Sequence, residues 1–235
     1  MEYRVEQKYI VDESDIVLLK NRLNNLIKLD DHIGEKGYYN IRSIYFDDYN
    51  NSCYHETEDG LNERSKIRIR IYDRSDKLIH LEIKYKVNGL TKKESCKISK
   101  ELCLKLMNGE RLDISECTNK VLRRVYLEQN MYMLKPKVIV EYDRIAYVSK
   151  IGNVRITFDK NIRASKHIDR FFEDNLYAHP ILEVGNHVLE VKYDELIPDY
   201  IMDAIQINKL ERTAFSKYYL SRLALKEEVK WVLRI

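Results

Sequence analysis

The sequence predicts an α+β fold in which an eight-stranded antiparallel β-barrel forms a tunnel with a charged lumen and helices cover its outside. Three observations lead to this prediction. Several segments alternate charged and apolar residues with the two-residue period of a β-strand. Arg and Lys lie in the middle of these segments rather than at their ends. The helical segments each carry an apolar stripe, which needs an apolar surface to cover.

The composition is that of a single globular domain. The chain has 235 residues, of which 44% are hydrophobic and 34% charged. Three Pro and seven Gly leave little material for flexible linkers, so we expect residues 1–235 to form one domain. No apolar run reaches the ~18 residues of a membrane span, and the first residues lack a signal peptide's apolar stretch. We therefore expect a cytoplasmic protein without direct membrane insertion.

Charge and motif content exclude several common function classes. A net charge of +3 is too small to indicate a nucleic-acid or membrane partner. The four cysteines form no C-x-x-C pair and are interpreted as reduced thiols, and the six histidines have no metal-binding spacing. The glycine-rich phosphate-binding and nucleophile-elbow motifs are also absent from the sequence.

The clearest strands lie in the first half of the chain. A strand sends successive side chains to opposite faces, so residues 66–72 have a face of Ile and a cationic face of Lys66, Arg68 and Arg70. The next strand, residues 81–87, has a mixed charged face of Glu82, Lys84 and Lys86. Asn88-Gly89 favours a tight hairpin turn, which predicts an antiparallel return over residues 90–98.

Five further segments complete the eight predicted strands. They are residues 4–9, 41–48, 137–148, 154–159 and 189–193. The polar positions that share one face within them are Arg4, Glu6, Lys8, Tyr142, Arg144, Arg155, Thr157, Asp159, Glu190 and Lys192. Helices are predicted between and after the strands, over residues 14–29, 99–107, 115–133, 198–207 and 216–232.

The charged faces are predicted to point inward. If the Ile faces filled the interior, the helices would have no apolar surface to pack on. The lumen candidates are nine basic residues (Arg4, Lys8, Arg68, Arg70, Lys84, Lys86, Arg144, Arg155, Lys192) and four acidic ones (Glu6, Glu82, Asp159, Glu190). Confined like charges are costly, and a polyanion in the lumen would compensate them. The alternative is an open sheet whose charged face is merely solvated.

Several motifs together resemble a known family. They are Glu6-x-Lys8-Tyr9, Ser43-Ile44-Tyr45-Phe46-Asp47, Lys66-x-Arg68-x-Arg70-x-Tyr72, Glu82-x-Lys84-x-Lys86, Tyr142-x-Arg144, Arg155-x-Thr157-x-Asp159, Leu189-Glu190-Val191-Lys192-Tyr193 and Ser216-Lys217-Tyr218. In this order they resemble the catalytic domain of the vacuolar transporter chaperone (VTC) polyphosphate polymerases. That family belongs to the triphosphate tunnel metalloenzymes, with the CYTH-type triphosphatases and adenylate cyclases.

The resemblance implies a ligand, a cofactor and site residues. The ligands would be ATP and inorganic polyphosphate or triphosphate, and the cofactor a divalent metal, Mn or Mg. The residues implied to grip phosphates are Lys8, Arg68, Arg70, Lys84, Arg144, Arg155 and Lys217. Arg4, Lys86, Tyr142, Lys192 and Ser216 are further substrate-binding candidates. Glu190 is the first candidate for the metal, followed by Glu6 and Glu82, with Asp159 of similar standing.

Comparison within the superfamily favours a polymerase. CYTH triphosphatases carry Glu-x-Glu-x-Lys on the first strand, whereas this chain has Arg4-x-Glu6-x-Lys8, and Val188 stands where they tend to keep a second carboxylate. Fewer carboxylates weaken activation of metal-bound water. Two alternatives stay open, a triphosphate hydrolase and a non-catalytic polyanion-binding module. A nucleic-acid partner is not expected, because many of the tyrosines share the apolar parity of their strands.

Overall fold

The computed structural model describes residues 3–207 and 210–232. Its strands are β1 (Val5–Val11), β2 (Lys28–Leu29), β3 (Tyr39–Asp47), β4 (Arg64–Tyr72), β5 (Ser75–Val87), β6 (Leu90–Ile98), β7 (Lys135–Ser149), β8 (Val154–Ser165), β9 (His179–Pro180) and β10 (His187–Tyr193). Its helices are α1 (Glu13–Leu23), α2 (Ser52–Glu58), α3 (Lys100–Met107), α4 (Lys120–Tyr132), α5 (Asp199–Ile205) and α6 (Lys217–Val232).

Eight strands form one curled antiparallel sheet in the order β1-β10-β8-β7-β3-β4-β5-β6, and the two-residue strands β2 and β9 pair with β7 and β8. The curl brings the first strand back to the last, because Arg4 and Thr91 exchange backbone hydrogen bonds of 2.8 and 2.9 Å. The predicted α+β fold with an eight-stranded antiparallel sheet is confirmed. The seam between β1 and β6 is one bridge long within the described chain.

Two apolar clusters lie under helices on the convex side of the sheet, as the inward-facing charges predict. One packs Ile67, Ile69 and Ile71 of β4 against α3 and α4, with Cys103 and Val125 among the helix residues. The other packs β8 and β10 against α1 and α5. Burying apolar surface stabilises the folded state by ~25 cal/mol per Å2. Packing against these helices therefore fixes the apolar face of each strand on the outside and turns the charged face inward.

The third apolar cluster lies on the concave side. There α6 and α2 pack against β3 and β7, and Tyr218 of α6 stacks on Tyr45 of β3 at 5.5 Å between ring centroids. The C-terminal helix therefore lies inside the curve of the sheet rather than on its outside. None of the helices within residues 3–207 and 210–232 has the length and apolar character needed to cross a membrane.

Two helix predictions differ from the structure and one helix was not predicted, and each difference has a local cause. The predicted helix 14–29 ends at Leu23, because Lys28 and Leu29 pair with β7 instead. The predicted helix 115–133 begins at residue 120, because the Asn119 side chain caps it by accepting from two backbone N–H groups. Helix α2 was not predicted, because its N–H groups are capped by Asp47, which lies outside the segment.

Candidate functional site

The concave face encloses a cavity of about 540 Å3. It is open where exposed residues line it, at Glu58, Gly60, Gly89, Arg212 and Ala214, and we call this end the upper mouth. Eleven basic residues line the cavity: Lys8, Arg64, Lys66, Arg68, Arg70, Lys84, Lys86, Arg144, Lys192, Arg212 and Lys217. The acidic lining residues are Glu6, Glu58 and Glu190. The interior therefore carries a large excess of positive charge.

Strand register sets which charges meet inside the cavity. Lys8 on β1 lies opposite Glu190 on β10, and Arg144 on β7 lies opposite Asp159 on β8. Directly opposed side chains of antiparallel strands are close enough to interact, so opposite charges at these positions stabilise the pairing. On the side of the tunnel formed by β1, β10, β8 and β7, positive and negative side chains thus compensate each other in pairs.

The Lys217 ammonium joins two of these carboxylates. Its Nζ lies 2.7 Å from Glu190 and 2.6 Å from Asp159, although Lys217 comes from α6 and not from the sheet. Arg144 binds Asp159 with two hydrogen bonds of 2.6 and 2.7 Å. Burial alone would raise the pKa of Glu190, but Lys192, Lys217 and Lys8 hold it well below its usual value. Glu190 is therefore a carboxylate at neutral pH.

Glu6 forms the second carboxylate centre of the cavity. It accepts hydrogen bonds of 2.8 and 2.7 Å from Lys84, and Lys8 lies 3.1 Å from it. The Lys8 ammonium also lies 3.6 Å from Glu190, so one lysine connects the two carboxylates. Burial opposes ionisation of Glu6, yet Lys84, Lys8 and Lys192 lower its pKa well below the usual value.

Glu82 orients the arginines of β4. It is buried beneath them, accepts from Arg68 at 2.7 Å and from Lys93 at 2.8 Å, and lies 3.7 Å from Arg70. Arg70 is held mainly by neutral groups, because its Nε and Nη2 donate to Ser43 and Tyr142 at 3.2 and 3.3 Å. The Arg70 guanidinium is therefore oriented towards the cavity while being only weakly neutralised.

The upper part of the cavity is built from like charges. The β4–β5 register places Lys66 opposite Lys84 and Arg64 opposite Lys86. Among the described residues, no carboxylate lies within 4 Å of Arg64, Lys66 or Lys86. Opposed like charges destabilise a sheet. Burial and the neighbouring Lys8 and Arg64 accordingly lower the pKa of Lys66 to about 7.

Comparison with known families identifies the chain. A family model described as the VTC domain matches residues 3–226. The chain belongs to the VTC domain family. The resemblance drawn from the sequence motifs is thereby confirmed. No curated protein matches the sequence.

Solved structures similar to this VTC domain share its tunnel fold. An adenylyl cyclase candidate from Hippeastrum, described as having a dominant triphosphatase activity, has 15% identity, a TM-score of 0.58 and coverage of 95% of this chain and 96% of its own. An adenylate cyclase candidate from Vibrio parahaemolyticus has 12% identity, a TM-score of 0.53 and coverage of 93% and 97%. One from Bacillus halodurans has 16% identity, a TM-score of 0.50 and coverage of 87% of each chain.

The VTC domain brings most of the predicted site residues together. The cavity is lined by Lys8, Arg68, Arg70, Lys84, Arg144 and Lys217, and by the substrate-binding candidates Lys86, Tyr142, Lys192 and Ser216. Glu6 and Glu190 also line it, whereas Glu82 and Asp159 lie behind the arginines that do. The roles of these residues stay predictions.

Two predicted phosphate-binding residues of the VTC domain lie outside the cavity lining. Arg4 sits at the seam of the sheet, where its Nε lies 2.9 Å from Asp194. Arg155 donates to Asp30 at 2.5 Å and to the Tyr39 hydroxyl at 2.9 Å. Both arginines pair with acidic residues of the segments that follow β10 and β2, and strand alternation does not reveal these partners.

Arg64 and Arg212 were missed as lining residues of the VTC domain. Arg64 lies two residues before Lys66 and therefore on the same face of β4. Extending the alternating pattern by two residues towards the N-terminus would have predicted it. Arg212 reaches the cavity from a segment that lies along β1, where the Thr213 N–H donates to the Lys8 carbonyl at 2.8 Å. No periodic pattern in the sequence predicts that this segment lies along β1.

The carboxylates of the VTC domain fit a divalent cation as a pair. Within the described chain, no group of three or more His, Cys, Asp or Glu side chains is arranged to hold a metal. Glu6 and Glu190 nevertheless both face the cavity and share Lys8 as a neighbour. Hard cations such as Mg²⁺ are commonly held by one or two carboxylates with substrate phosphates supplying further oxygen ligands. Glu82 fits less well, because it does not line the cavity and lies behind Arg68.

Proposed function

We propose that this VTC domain is a metal-dependent polyphosphate polymerase that transfers the γ-phosphate of ATP to a growing phosphate chain. The observation that carries the proposal is the excess of positive charge in the upper cavity, where like charges oppose each other in two strand pairs and, in the described chain, Lys84 is the one of the four residues with a carboxylate partner. A protein holds such charges together at a cost in stability unless a ligand neutralises them. A bound polyphosphate chain is a flexible row of negative charges that would do so along the whole tunnel.

The side chains divide the work along the cavity. Arg68 and Arg70 would bind phosphate oxygens with their planar guanidinium groups, which match phosphate geometry. Lysines are point charges on flexible stems, so Lys66, Lys84 and Lys86 of the upper cavity suit the phosphates of ATP, which must enter, and of ADP, which must leave, through the upper mouth. Lys217 and Arg144, which both contact Asp159, would neutralise charge on the transferred phosphoryl group.

Transfer needs no protein nucleophile. An oxygen at the end of the phosphate chain would attack the γ-phosphorus, forming one P–O bond while the bond to the β-phosphate oxygen breaks and ADP leaves. Phosphoryl transfer depends mainly on alignment and on neutralising charge, and both follow from the fixed cations of the cavity. Orthophosphate would serve as the first acceptor.

A divalent metal belongs to this proposal. Glu190 and Glu6 would hold Mn²⁺ or Mg²⁺ through their carboxylate oxygens, as the fit of the pair supports. When bound, the ion would neutralise negative charge on the phosphates and orient them. The lysines that now contact these carboxylates would then be released to bind phosphate oxygens.

A triphosphate hydrolase is the second candidate. The structure of the Hippeastrum protein, described as having a dominant triphosphatase activity, shares this fold over nearly the whole of both chains. In that reaction, water would take the place of the chain end as the attacking group. Against it stands Arg4, which occupies the position of the first glutamate of the hydrolase motif.

Incubation of the purified chain with ATP and Mn²⁺ tests the proposal. Long phosphate chains with equivalent ADP would support the polymerase. Orthophosphate as the only phosphate product would show the hydrolase, and the absence of turnover with retained tripolyphosphate binding would show a binding module.

Glu190→Gln should remove metal-dependent activity while the far-UV circular dichroism stays unchanged. Exposed Glu101→Gln is the matched control.

A further inference from the structure

The tunnel has a second end that is closed by side chains. Arg70, Arg144 and Lys192 line the cavity, whereas the next concave-face positions Tyr72 and Ala146 of their strands do not; we call these three residues the floor and the region beyond them the lower end. The strand register places Tyr39 opposite Arg144, and Arg155 opposite Lys192. Tyr39 and Arg155 share the parity of the concave face but do not line the cavity.

Tyr39 lies at the lower end of the tunnel, beside the floor residue Arg144. Its ring is buried, and it lies 6.1 Å from the Tyr72 ring of the neighbouring strand. Its hydroxyl accepts a hydrogen bond of 2.9 Å from Arg155, whose side chain is one-third exposed. A buried aromatic side chain thus pairs with the floor residue Arg144 across the strands and accepts a hydrogen bond from a partly exposed arginine.

Asp30 holds the exposed arginine in this position. It is buried, and its Oδ2 accepts from the same Arg155 nitrogen at 2.5 Å. Asp30 belongs to the loop between β2 and β3, not to the strands that carry the cavity. One nitrogen of Arg155 therefore donates to both the Asp30 carboxylate and the Tyr39 hydroxyl. A phosphate oxygen carries negative charge as the carboxylate does, and it can replace Asp30 as the acceptor from that nitrogen.

We propose that Asp30, Tyr39 and Arg155 form a gate at the lower end, through which the growing phosphate chain leaves. This inference rests on the proposed polymerase function. When Arg155 moves away and the Tyr39 ring turns aside, phosphate oxygens of a chain end at the floor replace Asp30 as acceptors from the Arg155 guanidinium, and this contact holds the gate open. The gate is then a determinant of product length, because a closed lower end limits the chain to what the cavity holds.

Synthesis by two gate variants tests this inference. Asp30→Asn weakens the hold on Arg155, and Tyr39→Phe removes the hydroxyl while keeping the ring. Losing a hydrogen bond to a charged group should open the gate about tenfold more often. We expect longer chains at an ATP turnover close to that of the wild type. Asp76→Asn, in an exposed pair with Lys100, and exposed Tyr177→Phe are the matched controls.

A binding measurement keeps the gate testable without synthesis. Competition between tripolyphosphate and long-chain polyphosphate gives the ratio of their affinities, and the gate variants should shift that ratio about tenfold towards the long chain. Such a shift without polymer synthesis would retain the gate and reject the polymerase. Polymer synthesis with unchanged chain length and an unchanged affinity ratio in both folded variants would overturn the gate.

Discussion

Single residues in this tunnel are held in networks rather than in isolated pairs. Glu190 and Glu6 each contact more than one cation, and Lys8 contacts both. Such networks lower the carboxylate pKa values and fix the side chains before a ligand arrives, although buried ion pairs by themselves add little stability. Their value lies in preorganisation of the site.

Arg70→Ala is expected to reduce chain synthesis by about 10²–10³-fold, the range for removing one charge-stabilising donor from a transition state. Arg70→Lys should restore only a minor part, because an ammonium cannot replace the planar guanidinium. The measurement is the initial rate of ADP formation with ATP and Mn²⁺, with exposed Arg111→Ala as the control. Undiminished synthesis by Arg70→Ala would remove this residue from the site.

Binding of tripolyphosphate near pH 8 should take up protons at Lys66 and at Lys84, because burial lowers the pKa of each to about 7 in the free cavity. The pKa of Lys66 is about 7 in the free cavity, because burial and the neighbouring Lys8 and Arg64 disfavour its charge. The side chain is therefore mostly neutral at pH 8, and a bound polyanion raises its pKa and protonates it. Titration calorimetry in two buffers of different ionisation enthalpy measures the uptake.

Lys66→Arg supplies the comparison for this proton uptake. Arginine stays charged at these pH values, so the variant should bind tripolyphosphate with less proton uptake and a weaker loss of affinity between pH 7 and 9. Lys66→Met should bind more weakly at pH 7. Equal proton uptake by the wild type and Lys66→Arg would assign the titrating group elsewhere.

At the scale of elements, α6 is the part that completes the site. Its first turn brings Lys217 to Glu190, and the next residue, Tyr218, donates a 2.5 Å hydrogen bond to the buried Asp47 at the end of β3. Asp47 also accepts from the N–H groups of Cys53 and Tyr54 in α2. One carboxylate thus docks two helices against the concave face.

Tyr218→Phe should lower the free energy of unfolding by roughly 1.5–3 kcal/mol, the range for a hydrogen bond to a charged group. Urea denaturation followed by circular dichroism measures the change. Tyr219→Phe is the matched control, because its hydroxyl makes an exposed 3.3 Å hydrogen bond with Glu58, and its effect should stay within about 0.5 kcal/mol. Equal losses in both variants would contradict the docking role of Asp47.

At the scale of the whole molecule, the curl of the sheet brings positive charges from different strands together in one cavity. Curling confines the eleven lining cations that an open sheet would expose to water. The curl itself is secured at the seam by one bridge between Arg4 and Thr91, together with the segment around Thr213 that covers β1. Like charges therefore repel each other in the free protein, and the proposed polyanion would relieve this repulsion.

Tripolyphosphate should stabilise the whole fold more than orthophosphate at equal ionic strength. A ligand at a hundred times its Kd stabilises the native state by about 2.7 kcal/mol. The melting temperature should rise accordingly, and the rise should be larger at low salt, where the charges are less screened. Thermal unfolding by circular dichroism at two salt concentrations measures both. Identical shifts for the two anions would count against a site for phosphate chains.

Much of the fold was predictable because strand alternation is a local property. Residues 66–72 and 81–87 were predicted as strands and lie within β4 and β5, and their Ile and Leu residues pack under helices as expected. The prediction was less complete at α2 and at Arg212, where contacts between distant parts of the chain decide the conformation. Alternation in the sequence carries no information on those contacts.

The sequence by itself determined the strand parity, and with it the cationic interior, because each strand has only two faces and the helices require the apolar one. Only the tertiary structure decided which cations remain uncompensated. Lys217 reaches Glu190 and Asp159 from a helix, and Asp30 draws Arg155 out of the cavity lining. Charge compensation depends on distances of a few ångströms between residues far apart in the chain, and the folded chain alone sets those distances.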